Sequence, residues 1–407
     1  MQQAPSEPPI AMGSLDIVPP LRDADAELIF LGTGTSSSIP HVDCLTRPPD
    51  ARPCLTCLST LTPAGKRNIR RNTSAVVRVR GCDGEPVTIV IDVGKTFQPA
   101  AVEWFPKHGL RRIDAVLITH AHADAMNGLD DLRGWTLHGA IQSHIDVYVS
   151  SDTFNEVQRS FPYMVAKEYA SGGGDVPEFK WHIIEDRVPF EIGETGVQIT
   201  PFAVHHGRIF ATAPSVALVA TPNTSVPASP KAGSKAGTPD PPGTPVHTDA
   251  ALVSAEPPKI QPLLCLGFLI QESILYVSDV SYIPDDIWAL FGSLRRPPPV
   301  FVLDCLGLRE HRSHLSVAQS VATARRLNAA RTYLLGFSHE VSHDEYVAMG
   351  EAVGGKALTP KQLTPSVHAG LEKIEKGPAV WVRPAFDGLK VMVSGDGGVK
   401  DEAYDLN

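Results

Sequence analysis

The side chains best suited to chemistry stand in Thr119-His120-Ala121-His122-Ala123-Asp124-Ala125-Met126-Asn127-Gly128. Three groups able to ligate a cation alternate directly after the apolar run Ala115-Val-Leu-Ile118, where an open turn lets them converge on one point. Imidazole and carboxylate donors suit zinc, manganese or iron. The competing reading is a polar loop in which each histidine caps a helix or meets water. Further candidates each follow an apolar run: His205 and His206 after Pro201-Phe-Ala-Val204, Asp279 after Ile274-Leu-Tyr-Val-Ser278, and His339 after Tyr333-Leu-Leu-Gly-Phe-Ser338. Singly these read as surface residues; jointly, at successive strand ends, they read as one centre. Neighbours on a strand point to opposite faces, so only His206 of its pair is expected to face that centre. A second cluster is Cys44-x9-Cys54-x2-Cys57, whose close pair is typical of a zinc turn. His343 is its candidate fourth ligand, closing a Cys3His tetrahedron. Three unrelated thiols are the alternative. Cys82, Cys265 and Cys305 lie in or beside apolar runs and are expected in the core.

These residues need strands to deliver them. Glu27–Leu31 reads as a strand running into the turn Gly32-Thr-Gly-Thr35, and 74–80 with 87–91 as a hairpin about Gly81-Cys-Asp-Gly84. Further strands are expected at 115–118, 145–149, 197–204, 264–270, 274–278, 300–304 and 332–337. Helices are expected at 99–108, 126–134, 151–160, 284–292, 315–327 and 344–353, and a closing hairpin at 378–394 about Phe386-Asp-Gly388. Strands and helices alternating at this spacing indicate an α/β layered domain.

The chain has 407 residues, 36 Lys+Arg against 45 Asp+Glu, and a formal charge of −9. An acidic balance without a basic block gives no long-range attraction for a phosphate backbone, so general nucleic-acid binding is disfavoured. No apolar run reaches the ~20 residues of a membrane span, and no targeting signal is visible. The expected compartment is the cytosol or nucleus, where thiols stay reduced. Prolines number 36, and five of them fall in 1–25 and nine in 222–259. These two stretches have too few large apolar side chains to offset their own ordering, so they are expected to be a disordered tail and a disordered insertion loop. One domain over 26–400 remains, because His206 precedes the insertion and Asp279 follows it, yet both belong to one centre.

His120-x-His122-x-Asp124 followed by His206, Asp279 and His339, with Gly32-Thr-Gly-Thr35 and Ile91-Asp92-x-Gly94, resembles the metallo-β-lactamase superfamily. Within it, the chain is most similar to the cyclic-phosphate phosphodiesterases of the PhnP type and their eukaryotic relatives. That similarity is carried by Arg70-Arg71-Asn72-Thr73-Ser74, Gly128-Leu-Asp-Asp-Leu-Arg133, Ser278-Asp279 and Ser338-His339 with His343. The resemblance implies a four-layer αββα sandwich with a metal centre along one edge. It implies a first ion on His120, His122 and His206, with Asp279 bridging to a second ion held by Asp124 and His339, and the same structural zinc on the cysteines. Superfamily members usually carry a histidine directly after the aspartate; here Ala125 stands there, which implies a weaker or vacant second site. Zinc or manganese is the expected ion.

The implied activity is hydrolysis of a small cyclic or diester phosphate by a cation-activated water. Asp124 would orient that water and His314 would protonate the leaving group. Asp92 is expected to fix a ligand imidazole. Arg71 and Arg133 are candidates for phosphate contact or for structural ion pairs. Thioester or lactone hydrolysis, tRNA 3′-end processing, and a non-catalytic metal-binding scaffold are the alternatives on the same fold.

Overall fold

The computed structural model describes residues 25–171, 175–209 and 261–405. Residues 1–24 of the expected tail and the whole expected loop 222–259 lie outside the described residues. The chain divides into a main unit, Met1–Gly207 with Leu263–Asn407, and a small one, Arg208–Pro262. In the small unit, residues 208–209 and 261–262 are described, as extended strand.

The strands are β1 (Ala26–Gly32), β2 (Ser74–Arg80), β3 (Pro86–Ile91), β4 (Ala115–Leu117), β5 (Ile145–Val149), β6 (Phe179–Ile183), β7 (Phe190–Glu191), β8 (Gln198–Ile209), β9 (Gln261–Ile270), β10 (Ile274–Val277), β11 (Val300–Asp304), β12 (Arg331–Leu335), β13 (Val382–Pro384), β14 (Lys390–Val393) and β15 (Val399–Asp401). They form two sheets, ordered β15-β14-β1-β2-β3-β4-β5-β6 and β13-β12-β11-β10-β9-β8-β7. Near-continuous apolar runs are what strands buried on both faces require. On β1, Leu28 and Phe30 enter the core between the sheets, while Ile29 and Leu31 face outward to helices. On β10, Ile274 and Tyr276 point inward and Leu275 and Val277 outward. This two-residue alternation gives every central strand two buried faces.

The helices are α1 (Val42–Leu45), α2 (Leu55–Ser59), α3 (Phe97–Lys107), α4 (Ala123–Met126), α5 (Arg133–Thr136), α6 (Ser151–Ser160), α7 (Pro162–Val165), α8 (Asp285–Ser293), α9 (Val317–Leu327), α10 (His343–Val353) and α11 (Pro365–Lys373). Phe97 and Phe105 of α3 and Val157 of α6 cover the first sheet. Ile287 and Phe291 of α8, Val321 of α9, Met349 of α10 and Val367 of α11 cover the second. The result is the expected αββα sandwich.

Three local expectations fail. The helix at 126–134 is broken into α4, a 3-10 turn at Leu129–Leu132 and α5; Gly128 N–H donates to Val93 O at 2.7 Å rather than back along a helix. The segment 378–394 is no hairpin. β13 pairs with β12 and β14 with β1, in different sheets, so the Phe386-Asp-Gly388 turn crosses the sandwich. Asp387 anchors the crossing by accepting from Thr33 Oγ1 and from the Arg71 backbone N–H, both at 2.9 Å. Burial pushes its carboxyl up to about 7. Cys82 is exposed in its turn, whereas Cys265 and Cys305 are buried as expected.

Candidate metal centre

Both sheets deliver ligands to one edge, at the carboxyl ends of their strands, where open α/β sheets place ligand sites. Just past β4, Thr119 is tied to Asp92, at the end of β3. Its N–H donates to Asp92 Oδ1 and its hydroxyl to Asp92 Oδ2, both at 2.8 Å. The Thr119 oxygen, 2.8 Å from His120 Nδ1, is thereby left to accept the Nδ1 proton. His120 Nε2 then carries a bare lone pair, buried and without a hydrogen-bond partner among the described residues. The His206 ring, on β8, faces the Ser313 carbonyl through Nδ1 at 2.7 Å. A carbonyl only accepts, so this Nδ1 bears the proton and Nε2 is again a lone pair. That atom lies 3.3 Å from His122 Nδ1.

Converging imidazole lone pairs in a buried place are unfavourable unless a cation satisfies them. The spacing fits one: tetrahedral bonds of ~2.0–2.1 Å to nitrogen give an N···N edge of about 3.3 Å. The three rings sit 4.6, 5.0 and 5.1 Å apart, centroid to centroid. Asp279, just past β10, brings Oδ2 to 3.4 Å from His120 Nε2 and 3.9 Å from His206 Nε2. Burial pushes His120 down to about 3 and lowers His122 as well, so both are neutral donors at ordinary pH. Asp124, in α4, is pushed up by burial and then by the neighbouring Asp279. The turn carrying Asp124 passes so close to Gly94 that a Cβ there would lie 1.8 Å from the Asp124 carbonyl oxygen.

His314 stands at the rim with its ring 4.9 Å from that of His206. Its Nδ1 lies 3.2 and 3.1 Å from the two oxygens of Asp304, and Asp304 Oδ2 also accepts the Leu315 N–H at 2.9 Å. Burial alone would lower the His314 pKa, but the Asp304 charge and hydrogen bond outweigh it and raise it to about 9. Asp304 is a candidate site residue that the sequence reading does not single out. Its signal was available, since a carboxylate ending the apolar run 300–304 repeats the pattern of Asp279.

The cysteine cluster closes differently from the expectation. His339 Nδ1 lies 3.2, 3.7 and 3.5 Å from the sulfurs of Cys44, Cys54 and Cys57. Tetrahedral zinc bonds of ~2.3 Å to sulfur and ~2.0–2.1 Å to nitrogen predict an edge of about 3.6 Å. His339 therefore takes the corner assigned to His343, and it is absent from the histidine centre. His343 opens α10, where its ring is buried, with Nε2 3.2 Å from Tyr404 Oη and an edge-to-face contact with Phe386. Burial raises the Cys44 and Cys57 thiols, Cys57 to about 12; a cation is what makes such thiols ligands. The loop bearing His339 is held by fully buried Arg70, which donates to Ser338 O at 2.5 Å and Val341 O at 2.9 Å. A cleft of about 910 Å³ opens beside Cys54 and His339, but the histidine triad does not line it.

The candidate phosphate contacts are engaged elsewhere: Arg133 pairs with Asp130 at 2.5 Å and Arg71 with Glu103 at 2.7 Å. His205 turns to Tyr282, ring centroids 5.4 Å apart.

The profile of the beta-lactamase superfamily domain matches residues 88–226 and 240–337, more than half of the chain. The chain belongs to that superfamily. It has the metallo-β-lactamase fold, and that fold is similar to those of solved relatives. A diphosphatase from the PhnP family is 21% identical, with 90% of this chain and 96% of that one covered at a TM-score of 0.55. Unliganded yeast PDE1 is 11% identical, with 91% and 100% covered at a TM-score of 0.49. A curated relative, an octanoyltransferase of Porphyromonas gingivalis (strain ATCC BAA-308 / W83), is 28% identical over 186 residues, 44% of this chain and 31% of that protein. The chain thus matches less than a third of that curated relative's length. No helix among the described residues is long and apolar enough to cross a membrane.

Proposed function

We propose that this superfamily member hydrolyses phosphodiesters, with a small cyclic or diester phosphate as its substrate. The observation that carries the reading is the pairing of the convergent His120, His122 and His206 with a second imidazole, His314, held at the rim by Asp304. His120 Nε2, His122 Nδ1 and His206 Nε2, with Asp279, would hold a divalent cation. A cation bound there supplies Lewis acidity and lowers the pKa of water toward neutrality.

The chain's own residues supply the rest. Asp92 and Thr119 fix the His120 tautomer, and the Ser313 carbonyl fixes that of His206. Asp124 accepts the proton of the attacking water. His314 donates a proton to the departing oxygen, and Asp304 holds the ring in place to do so. A proton donor matters most for an alkoxide, whose conjugate acid is nearly as weak as water (pKa about 15.7). A thiolate, with a conjugate acid near pKa ~8.5, leaves without that help, so the His314–Asp304 pair favours an oxygen leaving group over a thioester.

The PhnP-family relative is a diphosphatase by its own description, which supports a phosphate-containing substrate. The test is a panel of phosphodiesters, lactones and thioesters assayed with zinc- and manganese-loaded protein. Turnover is expected on phosphodiesters and to be lost in His314→Ala for alkyl leaving groups; cleavage confined to thioesters or lactones would refute the reading.

A further inference from the structure

The superfamily resemblance implies two cations side by side, and the residues of this chain fit only one of them. The first position has three imidazole donors at tetrahedral spacing, with Asp279 beside them. The second would draw on Asp124, on Asp279 as a bridge, and on imidazoles from two places. Both imidazoles are missing. Ala125 follows Asp124, and its side chain is buried. His339 is committed to Cys44, Cys54 and Cys57.

The strand that leads to His339 brings no substitute. β12 ends at Leu335 and is followed by Gly336, where a Cβ would lie 2.5 Å from Asp304 Oδ1. Gly336 has φ +77°, a conformation that favours glycine. The carboxylate of Asp304 thus fills the space that any side chain at 336 would enter. His314 cannot replace the lost donors through Nδ1, because that atom already faces both Asp304 oxygens. The remaining donors are the carboxylates of Asp124, Asp279 and Asp304. Asp279 is already beside the first position, and Asp304, though clustered with Asp279 and His314, has its oxygens engaged by His314 Nδ1 and the Leu315 N–H.

We infer that the hydrolytic centre is mononuclear, so that the full chain binds two cations, one on the histidine triad and one on the Cys3His corner. This rests on the metal-hydrolase reading above and narrows it: the second carboxylate, Asp124, is free of any cation and available to the attacking water.

The experiment is metal content by elemental analysis of the full-length protein, purified natively and then dialysed against excess Zn2+ or, separately, Mn2+. Two ions per chain are expected, falling to one in His122→Ala and to one in Cys57→Ser, with both retained in Asp124→Asn. Three ions per chain in the native protein, or loss of an ion from Asp124→Asn, would overturn the inference while leaving the hydrolase reading intact. A single ion, lost only with Cys57→Ser, would overturn both. Should a variant fail to fold, the native protein still decides. Electron paramagnetic resonance of Mn2+-loaded protein is expected to show the hyperfine pattern of an isolated ion, and an exchange-coupled pair would refute the inference.

Discussion

Exchanging the roles of His339 and His343 gives a prediction with opposite outcomes for two histidines four residues apart. His339 Nδ1 lies within 3.7 Å of all three cysteine sulfurs, whereas His343 is packed against Tyr404 and Phe386. A structural zinc site is worth about 10–16 kcal/mol. Shared over four ligands this is about 2.5–4 kcal/mol each, so His339→Ala should weaken that ion's retention by roughly 10²–10³-fold. His343→Ala removes a buried ring and one hydrogen bond, which should cost about 2–4 kcal/mol of folding stability without touching the ion. The assay is competitive release of zinc to a chromogenic chelator, run beside urea unfolding of the same samples. His339→Ala should release one ion per chain at chelator concentrations that leave the parent intact, and His343→Ala should shift only the unfolding midpoint. Zinc loss from His343→Ala with retention in His339→Ala would refute the assignment.

Other outcomes follow from the same geometry. Asp304→Asn should slow hydrolysis of substrates with alkyl leaving groups by roughly 10–100-fold and those with activated aryl leaving groups much less; equal losses on both would show that Asp304 does not act through His314. Asp387 is protonated in the folded chain up to about pH 7, while the unfolded carboxyl ionises near ~3.9. The folded state holds the extra proton between those values, so its contribution to stability is lost as pH rises from about 4 through about 7, by up to about 4 kcal/mol. Unfolding of Asp387→Asn should therefore lack this decline relative to the parent, and parallel pH profiles would count against a buried, proton-binding carboxyl. Gly94→Ala places a methyl 1.8 Å from the Asp124 carbonyl oxygen; it should cost about 3 kcal/mol or more and depress turnover while the Cys3His ion remains, as elemental analysis would report.

Much of this molecule was legible because its central strands are buried on both faces. Runs such as Leu28–Leu31, Val87–Ile91 and Val300–Leu303 read as strands from composition alone, and the chemistry-bearing residues sit directly after them. What failed depended on contacts distant in sequence. The segment about Asp387 has the local form of a hairpin, and only its bonds to Thr33 and Arg71 send its two strands into different sheets. β6 was missed because its residues are half-exposed, and β7 and β15 because they are two and three residues long. The choice between His339 and His343 could not be made from spacing. It depends on buried Arg70, whose guanidinium lies over the Phe337 ring and donates to the Ser338 and Val341 carbonyls, fixing the loop from which His339 reaches the thiols. His314 is a candidate proton donor from the resemblance alone, but its partner Asp304 lies ten residues earlier on another element, and pairing them required the fold.

The histidine triad as the seat of phosphodiester hydrolysis is tested most directly by turnover of a phosphodiester by the parent and by His120→Ala, with metal content recorded on the same samples. Hydrolysis is expected of the parent and, in the variant, loss of turnover together with one ion per chain while the Cys3His ion stays bound. Undiminished turnover in His120→Ala, or loss of that ion with no change in rate, would contradict it.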